Sequence, residues 1–202
     1  MAHPWHDLPN NPDTAAEGFN AGEVIIGHVS NSGLDHPLIQ HKVGIIRDRN
    51  TSVKEFRELV QEIAGLMVYE ITKDFPLVDV EIETPIAKMK SKMLSDRKVA
   101  LVPILRAGIG MVRGILQLLP NARVGHIGIY RDHETLQAIQ YYFKMPADMP
   151  ERDVIVLDPM LATGNSAVAA VDRLKLTNPR SIRFACLVTC PQGLKTFHDH
   201  HP

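Results

Sequence analysis

Residues 154–167 carry an acid, a glycine and several hydroxyl or amide side chains at close spacing. Four β-favouring apolar residues lead to Asp158, and an alanine- and valine-rich helix is predicted to begin at Ser166. A strand that ends in an acid and then turns into a helix places backbone N–H groups and the positive end of the helix dipole around one point. The segment therefore predicts a phosphate site with a carboxylate beside it, as a phosphorylated sugar requires. The candidate residues of the turn are Pro159, Met160, Leu161, Ala162, Thr163, Gly164, Asn165 and Ser166.

The simplest alternative for this segment is an ordinary crossover from strand to helix. Ser166 would then be an N-cap of the kind that any α/β protein needs. A capping turn alone does not require an acid at the strand end together with Thr163, Gly164 and Asn165. We therefore favour the binding function, within the false-positive risk of motif matching.

Two arginines follow other predicted strands in a similar way. Arg106 precedes Ala107 and Gly108, small residues that let the backbone turn tightly into a helix. Arg131 precedes a polar run that could form a flap beside a site. A guanidinium offers a planar fork suited to diphosphate oxygens. We expect both arginines to bind a diphosphate, although each could instead be a solvated arginine on a surface loop.

The elements that position these residues predict a parallel α/β sheet flanked by helices. From residue 99 onward, continuous apolar strands alternate with helices, which is typical of such a sheet. Ligands bind at the carboxyl ends of its strands, where all three polar segments fall. Predicted strands cover residues 99–104, 124–130, 154–157 and 181–189, and predicted helices cover 108–119, 166–176 and a short segment after Pro191.

The chain before residue 99 is more mixed. Ser52 and Glu55 have the spacing of a capping box, and apolar residues then recur at helical spacing to about Ile71. Apolar and acidic residues alternate over 78–83, which predicts a half-exposed strand, one arm of a small hairpin. Residues 1–33 contain prolines, asparagines and glycines with little periodicity. The predicted organisation is an irregular N-terminal arm over 1–33 and one domain over 34–202.

Composition excludes several classes of partner. The 202 residues carry a net charge of −1, which gives no electrostatic footprint for nucleic acid or an anionic membrane. The sequence contains no apolar run of membrane-spanning length and no pattern of a secretory signal. Cys186 and Cys190 fall in one predicted strand, about 13 Å apart at roughly 3.3 Å per residue, and cannot bridge each other. We expect a cytoplasmic protein that binds small molecules.

Two further groups of residues are weaker candidates. The run from His198 to His201 could be a metal site, but a histidine-rich tip is more often solvated. Lys42 and Arg47 could contact a partner subunit or a regulatory nucleotide. The alternative is that they belong to a solvated basic face with no binding role.

The chain resembles the uracil phosphoribosyltransferase family. Its segments HPLIQHKVGIIRDRNTSVKEFRELV, VPILRAGIGM, IGIYRDHETL and LDPMLATGNSA occur in that family's order and at its spacing. The likeness runs from about His36 to the C-terminus. It implies the type I phosphoribosyltransferase fold and transfer of a phosphoribosyl group from 5-phospho-α-D-ribose 1-diphosphate to uracil, which gives UMP and diphosphate in pyrimidine salvage.

The resemblance also implies a role for each motif. Arg106 and Arg131 would bind the leaving diphosphate, Asp158 would hold the ribose hydroxyls, and residues 159–166 would bind the 5′-phosphate. Mg²⁺ would arrive with the diphosphate, without a dedicated metal cage in the protein. Members of the family form homodimers or larger assemblies, and some respond to GTP as an effector.

Three departures from the family pattern accompany the resemblance. In that family, position 165 usually holds glycine. Asparagine is the next most tolerant residue for a left-handed backbone, so we expect phosphate binding to be weakened rather than abolished. Residues 137–140 replace a Pro-x-Pro stretch, which affects the predicted flap. The family's uracil-reading loop has no match up to Pro202. The alternative to an enzyme is therefore a non-catalytic relative that binds phosphoribosyl diphosphate or a nucleotide as a sensor or assembly subunit; use of another base ranks last.

Overall fold

The computed structural model describes residues 25–27, 36–95, 98–131 and 138–201, with residues 25–27 and 131 described by their backbone alone. The helices are α1 (Pro37–Arg47), α2 (Val53–Ile71), α3 (Ile109–Leu118), α4 (Asn165–Lys175) and α5 (Pro191–His200). The strands are β1 (Ile25–Gly27), β2 (Leu77–Glu83), β3 (Lys88–Leu94), β4 (Lys98–Leu105), β5 (Arg123–Val124), β6 (His126–Arg131), β7 (Ala138–Lys144), β8 (Arg152–Leu157), β9 (Met160–Leu161), β10 (Ser181–Cys186) and β11 (Val188–Thr189).

The main sheet is parallel at its centre and antiparallel at its two edges. Its order is β1-β10-β8-β4-β6-β7, with β5 also paired to β4. The pairs among β10, β8, β4, β5 and β6 are parallel, which confirms the predicted parallel core, whereas β1 and β7 pair antiparallel. Residues 132–137 alone connect β6 to β7, and a parallel crossover needs a dozen residues or more. The short connection therefore accounts for the antiparallel edge at β7.

Two apolar layers cover the sheet, one on each face. Successive residues of a strand point to opposite faces. Leu101 of β4 accordingly packs with α1, α2 and α3, and its neighbour Val102 packs with α4. Burying a side chain such as Leu101 stabilises the fold by about 1.5–3 kcal/mol. Because both faces are covered, ligands reach the sheet at the ends of its strands.

Helix α2 follows its predicted start closely. The Ser52 hydroxyl accepts a hydrogen bond from the Glu55 backbone N–H at 3.2 Å, which confirms the cap predicted at Ser52. The helix buries Ile63 and Met67 completely against the sheet. The preceding α1 was not predicted; it begins at Pro37 after a cap in which His36 accepts from the Leu38 N–H at 3.2 Å.

Strands β2 and β3 form a separate two-stranded hairpin. One face carries opposite charges in register, such as Asp79 opposite Lys92, whose side chains lie 2.7 Å apart. The other face carries apolar side chains, with Val78 opposite Met93 and Ile82 opposite Met89. The hairpin prediction is confirmed, but nearly every residue of both strands is exposed rather than every second one. A two-stranded ribbon of this kind is only marginally stable on its own.

The predicted bounds differ from the structure in three places. The predicted strand over 124–130 is divided into β5 and β6, and the predicted strand over 181–189 into β10 and β11. Helix α4 begins at Asn165 rather than at Ser166. Both cysteines are free thiols, and Cys186 is buried. Over the described residues, no helix has the length and apolar content that a membrane span would need.

Candidate functional site

The strands that precede the candidate residues end at the same edge of the sheet. Strand register pairs Pro103 of β4 with Leu157 of β8, and Leu105 of β4 with Gly128 of β6. Arg106 directly follows β4 and Asp158 directly follows β8, so their backbones begin two neighbouring turns at the carboxyl edge of the sheet. Sequence reasoning placed both at this edge, and the structure brings them there.

The turn after β4 lies directly against the end of β8. A methyl group built on Gly108 would overlap the Leu157 carbonyl oxygen and would lie 2.8 Å from the Ile104 nitrogen. Glycine is therefore required at position 108, because no side chain fits between the two strand ends. The turn follows a non-proline cis peptide bond between Leu105 and Arg106. The Arg106 side chain is exposed and makes no hydrogen bond or ion pair with other described residues, while its backbone carbonyl oxygen accepts from the Ile109 N–H at 3.3 Å.

The turn after β8 changes direction at Gly164. This glycine has a φ of 83°, in the left-handed region that favours glycine, and it is the N-cap of α4. No described side chain caps the N-terminus of α4, and the same holds for α3, whose N-cap is Gly108. Helices α1 and α2 are capped by His36 and Ser52. The first-turn N–H groups of α4 thus remain available to an anion at the carboxyl edge. Those of α3 are already used, because Ile109, Gly110 and Met111 donate to the carbonyl oxygens three residues before them, at 3.1–3.3 Å.

Asp158 is the carboxylate beside these helix ends. It is partly buried, and its backbone N–H donates to the Ala185 carbonyl oxygen at 3.1 Å. Burial raises the pKa of Asp158 from 3.8 to about 7, and a hydrogen bond from the Met160 backbone N–H opposes the rise. A carboxylate with so little solvation binds hydroxyl groups or a cation readily, because a ligand replaces the missing water.

The conformation of Asn165 corrects one expectation from the sequence. Asn165 is the first residue of α4 and does not have a left-handed backbone; Gly164 adopts that conformation instead. Among the described residues other than glycine, only Asn178 has a positive φ, at 52°. The predicted loss of phosphate affinity therefore has no basis in a left-handed position 165. Ser166 is likewise the second residue of the helix rather than its N-cap.

The contribution of Arg131 is described only in part. Arg131 is the last residue of β6, so its backbone reaches the carboxyl edge, while its side chain lies outside the described residues. The polar run that follows it, predicted as a flap, lies outside the described residues over 132–137. The role of Arg131 in the site stays a prediction.

The histidine-rich tip is solvated as predicted at Asp199 and His200, but not at its last histidine. His201 is only 6% exposed, since its ring packs edge-on against Phe197 and its Nε2 lies 3.3 Å from the Val168 carbonyl oxygen. Lys175 Nζ lies 2.8 Å from the other ring nitrogen. Burial lowers the pKa of His201 below its ordinary value. Among the described residues, no group of three or more His, Cys, Asp or Glu side chains could hold a metal ion.

Contacts behind the turn that follows β8 were not predicted from the sequence. The short strands β9 and β11 pair in parallel, and the Thr189 hydroxyl donates to the Leu161 carbonyl oxygen at 3.1 Å. The Cys190 thiol donates to the Ala162 carbonyl oxygen at 2.9 Å. Cys190 was interpreted as a core residue, and nothing in its sequence neighbourhood signals a contact with residues 28 positions away.

Comparison with known proteins adds a family to this geometry. The family model described as uracil phosphoribosyltransferase matches residues 33–202. The chain belongs to the uracil phosphoribosyltransferase family. A uracil phosphoribosyltransferase of Ligilactobacillus salivarius is 61% identical over 169 residues, which are 84% of this chain and 81% of the relative. One of Geobacillus kaustophilus is 59% identical over 168 residues, which are 83% of this chain and 80% of the relative.

A solved structure shares the fold of this chain. The Aquifex aeolicus protein AQ2163 superposes with a TM-score of 0.78 at 37% identity, over 83% of this chain and 80% of that one. The predicted α/β fold is confirmed by the sheet and helices described above, and the family match assigns it to the uracil phosphoribosyltransferases. The acid and the glycine turn of a uracil phosphoribosyltransferase thus lie at the strand ends where an α/β sheet binds ligands.

Proposed function

We propose that this protein transfers the phosphoribosyl group of 5-phospho-α-D-ribose 1-diphosphate to uracil and releases UMP and diphosphate, a reaction of pyrimidine salvage. The observation that carries the proposal is the uncapped N-terminus of α4 in the turn that follows the desolvated carboxylate of Asp158, with the exposed Arg106 at the end of the neighbouring strand. A helix N-terminus, an acid and a guanidinium at one edge of the sheet match a sugar that has a phosphate at one end and a diphosphate at the other.

The turn after β8 holds the sugar in this mechanism. The 5′-phosphate lies against residues 159–166, where the α4 N-terminus offers N–H groups and Thr163 and Ser166 offer hydroxyls. The Asp158 carboxylate accepts hydrogen bonds from the ribose hydroxyls. Fixing both ends of the ribose holds its anomeric carbon in line between the nucleophile and the leaving group. This positioning lowers the barrier to displacement.

Charge stabilisation at the other turn drives the displacement. The bond between the anomeric carbon and the diphosphate oxygen breaks, the bond to the uracil nitrogen forms, and the proton of that nitrogen passes to the solvent. Positive charge develops on the sugar while negative charge grows on the diphosphate. The Arg106 side chain, exposed and without a partner among the described residues, binds the departing group beside the α3 N-terminus. The second diphosphate contact is assigned to Arg131, whose backbone ends β6 at the same edge of the sheet.

Magnesium enters this proposal as part of the substrate. Diphosphate oxygens and water are typical Mg²⁺ ligands, so the cation arrives on the sugar diphosphate and neutralises it. Asp158 is a suitable contact for the metal or its waters. The described residues around it contain no acidic cluster that would hold the ion by itself.

The hairpin supports a homodimer. Its apolar face exposes Val78, Val80 and Met93, and exposed apolar patches of this kind mark interaction sites. A second copy of the chain would cover that face, and the family resemblance implies the same assembly.

The resemblance also implies GTP as an effector. Of the two basic candidates for that role, Lys42 is already paired with Glu62 at 2.5 Å, which argues against it as a nucleotide contact. A cytoplasmic location is proposed from the free thiols and tested by cell fractionation.

Turnover by the full-length protein tests the proposal. The protein is incubated with uracil, the sugar diphosphate and Mg²⁺, and UMP is quantified by chromatography. We expect UMP formation that depends on all three additions. Binding of the sugar diphosphate without turnover would favour the non-catalytic sensor, and turnover with another base would contradict the choice of uracil.

A further inference from the structure

The first turn of α5 stands directly behind the turn that follows β8. Gly193 is so close to that turn that a methyl group built on it would overlap the Ala162 carbonyl oxygen and lie 2.7 Å from that of Leu161. On the other side of the contact, a methyl group on Gly164 would lie 2.9 Å from the Gly193 carbonyl oxygen and 3.0 Å from Cβ of Thr196. The two segments are in backbone-to-backbone contact.

Hydrogen bonds fix the orientation of the turn across this contact. The Leu161 carbonyl oxygen accepts from the Cys190 backbone N–H at 3.3 Å and from the Thr189 hydroxyl at 3.1 Å. The Ala162 carbonyl oxygen accepts from the Cys190 thiol at 2.9 Å. Both carbonyl groups therefore point towards α5.

The direction of these carbonyls determines where the next N–H groups point. In a trans peptide, the C=O of one residue and the N–H of the following residue point in opposite directions. With the carbonyls of Leu161 and Ala162 directed at α5, the N–H groups of Ala162 and Thr163 are directed to the opposite side of the turn. On that side neither N–H group donates to another described residue, so both can donate to a phosphate.

Helix α5 is itself held in place from two sides. Phe197 packs on Phe184 of β10 with ring centroids 5.1 Å apart. His201, just after the helix, contacts the Val168 carbonyl oxygen of α4 at 3.3 Å. The helix is thus fixed to the sheet and to the helix that begins at the phosphate turn, and it can act as a rigid support.

We propose that Gly193 and Cys190 are positioning residues for the 5′-phosphate: together they hold the carbonyls of Leu161 and Ala162 back so that the following N–H groups face the phosphate. Neither residue touches the substrate. Any side chain at position 193 would push the turn towards the phosphate, whereas removal of the Cys190 thiol would leave the Ala162 peptide free to rotate. The inference deepens the proposed function and rests on its assignment of the phosphate to this turn.

Calorimetry with ribose 5-phosphate tests the inference without requiring turnover. We expect Gly193→Ala to raise the Kd about tenfold or more, and to raise the KM for the sugar diphosphate more than it lowers kcat. The matched control is Gly44→Ala, also within a helix, where an added methyl group meets no atom within 4 Å. Its Kd is expected to stay within about twofold of the parent value.

A second pair of variants covers the case in which Gly193→Ala fails to fold. Cys190→Ala removes the donor to Ala162 and is expected to weaken binding several-fold, whereas Cys190→Ser keeps a donor and is expected to restore most of the affinity. Folded Gly193→Ala with the parent Kd, or equal affinities for the two Cys190 variants, would overturn the inference, as would absence of ribose 5-phosphate binding by the parent. Binding without UMP formation would refute the proposed function alone, and the variants would still decide this inference.

Discussion

Replacing Asp158 with asparagine should stabilise the ligand-free protein at neutral pH while abolishing its proposed activity. The carboxyl group lies just after β8, where burial disfavours its charged form and raises its pKa from 3.8 to about 7. Asparagine has nearly the same shape, carries no charge and can still accept the hydrogen bond from the Met160 N–H. The substitution therefore removes an unfavourable buried charge and little else.

The pKa of Asp158 sets the size and the pH range of the effect. As pH rises from about 4 to about 7, the unfolded chain releases this proton and the folded protein retains it, so the free energy of unfolding falls. At 1.36 kcal/mol for each tenfold change in acid dissociation constant, the total is about 4 kcal/mol. The variant should match the parent near pH 4 and exceed it by up to about 4 kcal/mol at pH 8.

Urea denaturation from pH 4.5 to 8 measures the difference between the two proteins. Groups common to both cancel, and Asp148, whose pKa is lowered to about 2 by its hydrogen bond with Arg152, titrates below this window. The control is Asp199→Asn, which removes an exposed ion pair with Lys195 and should change stability by less than about 0.5 kcal/mol. A difference that is constant with pH, or a less stable Asp158→Asn variant at pH 8, would refute the reasoning.

Three further outcomes are expected. Arg106→Ala should lower kcat/KM about 100- to 1,000-fold in the UMP assay, whereas Arg113→Ala, which removes an exposed arginine of α3, should leave it unchanged; equal effects would contradict a specific role. Leu101→Ala, at a fully buried position between the sheet and its helices, should lower the free energy of unfolding by about 2–5 kcal/mol, and a loss below about 1 kcal/mol in urea titration would contradict the packing. Val80→Lys on the apolar face of the hairpin should shift sedimentation towards monomer; an unchanged mass would show that this face is not the interface.

The core and the edge that carries the site were predictable because their signals are local. Buried parallel strands are apolar along their whole length, so β4 and β8 stand out, and the acid or arginine after each marks its end. The cap at Ser52 and the helical spacing after it predicted α2 in the same way. These features depend on neighbours within a few positions of the chain.

The remaining features depend on residues far apart in the sequence. Strands β9 and β11 have two residues each and form only because their segments meet in the folded protein. His201 is buried through contacts with Val168 and Lys175, 33 and 26 positions away. The start of α4 was predicted one residue too late, at Ser166 instead of Asn165. Ser166 is a good capping residue, but Gly164 is the N-cap because its backbone is left-handed.

Amide hydrogen exchange in the presence of ligands tests most directly the claim that the sugar phosphate lies at the α4 N-terminus. Ribose 5-phosphate should slow exchange of the amides of residues 162–166 and leave residues 106–109 unchanged. The sugar diphosphate with Mg²⁺ should protect both segments, because its second anionic group reaches the turn at Arg106 and the N-terminus of α3. Saturating ribose 5-phosphate with no protection at residues 162–166 would contradict the account.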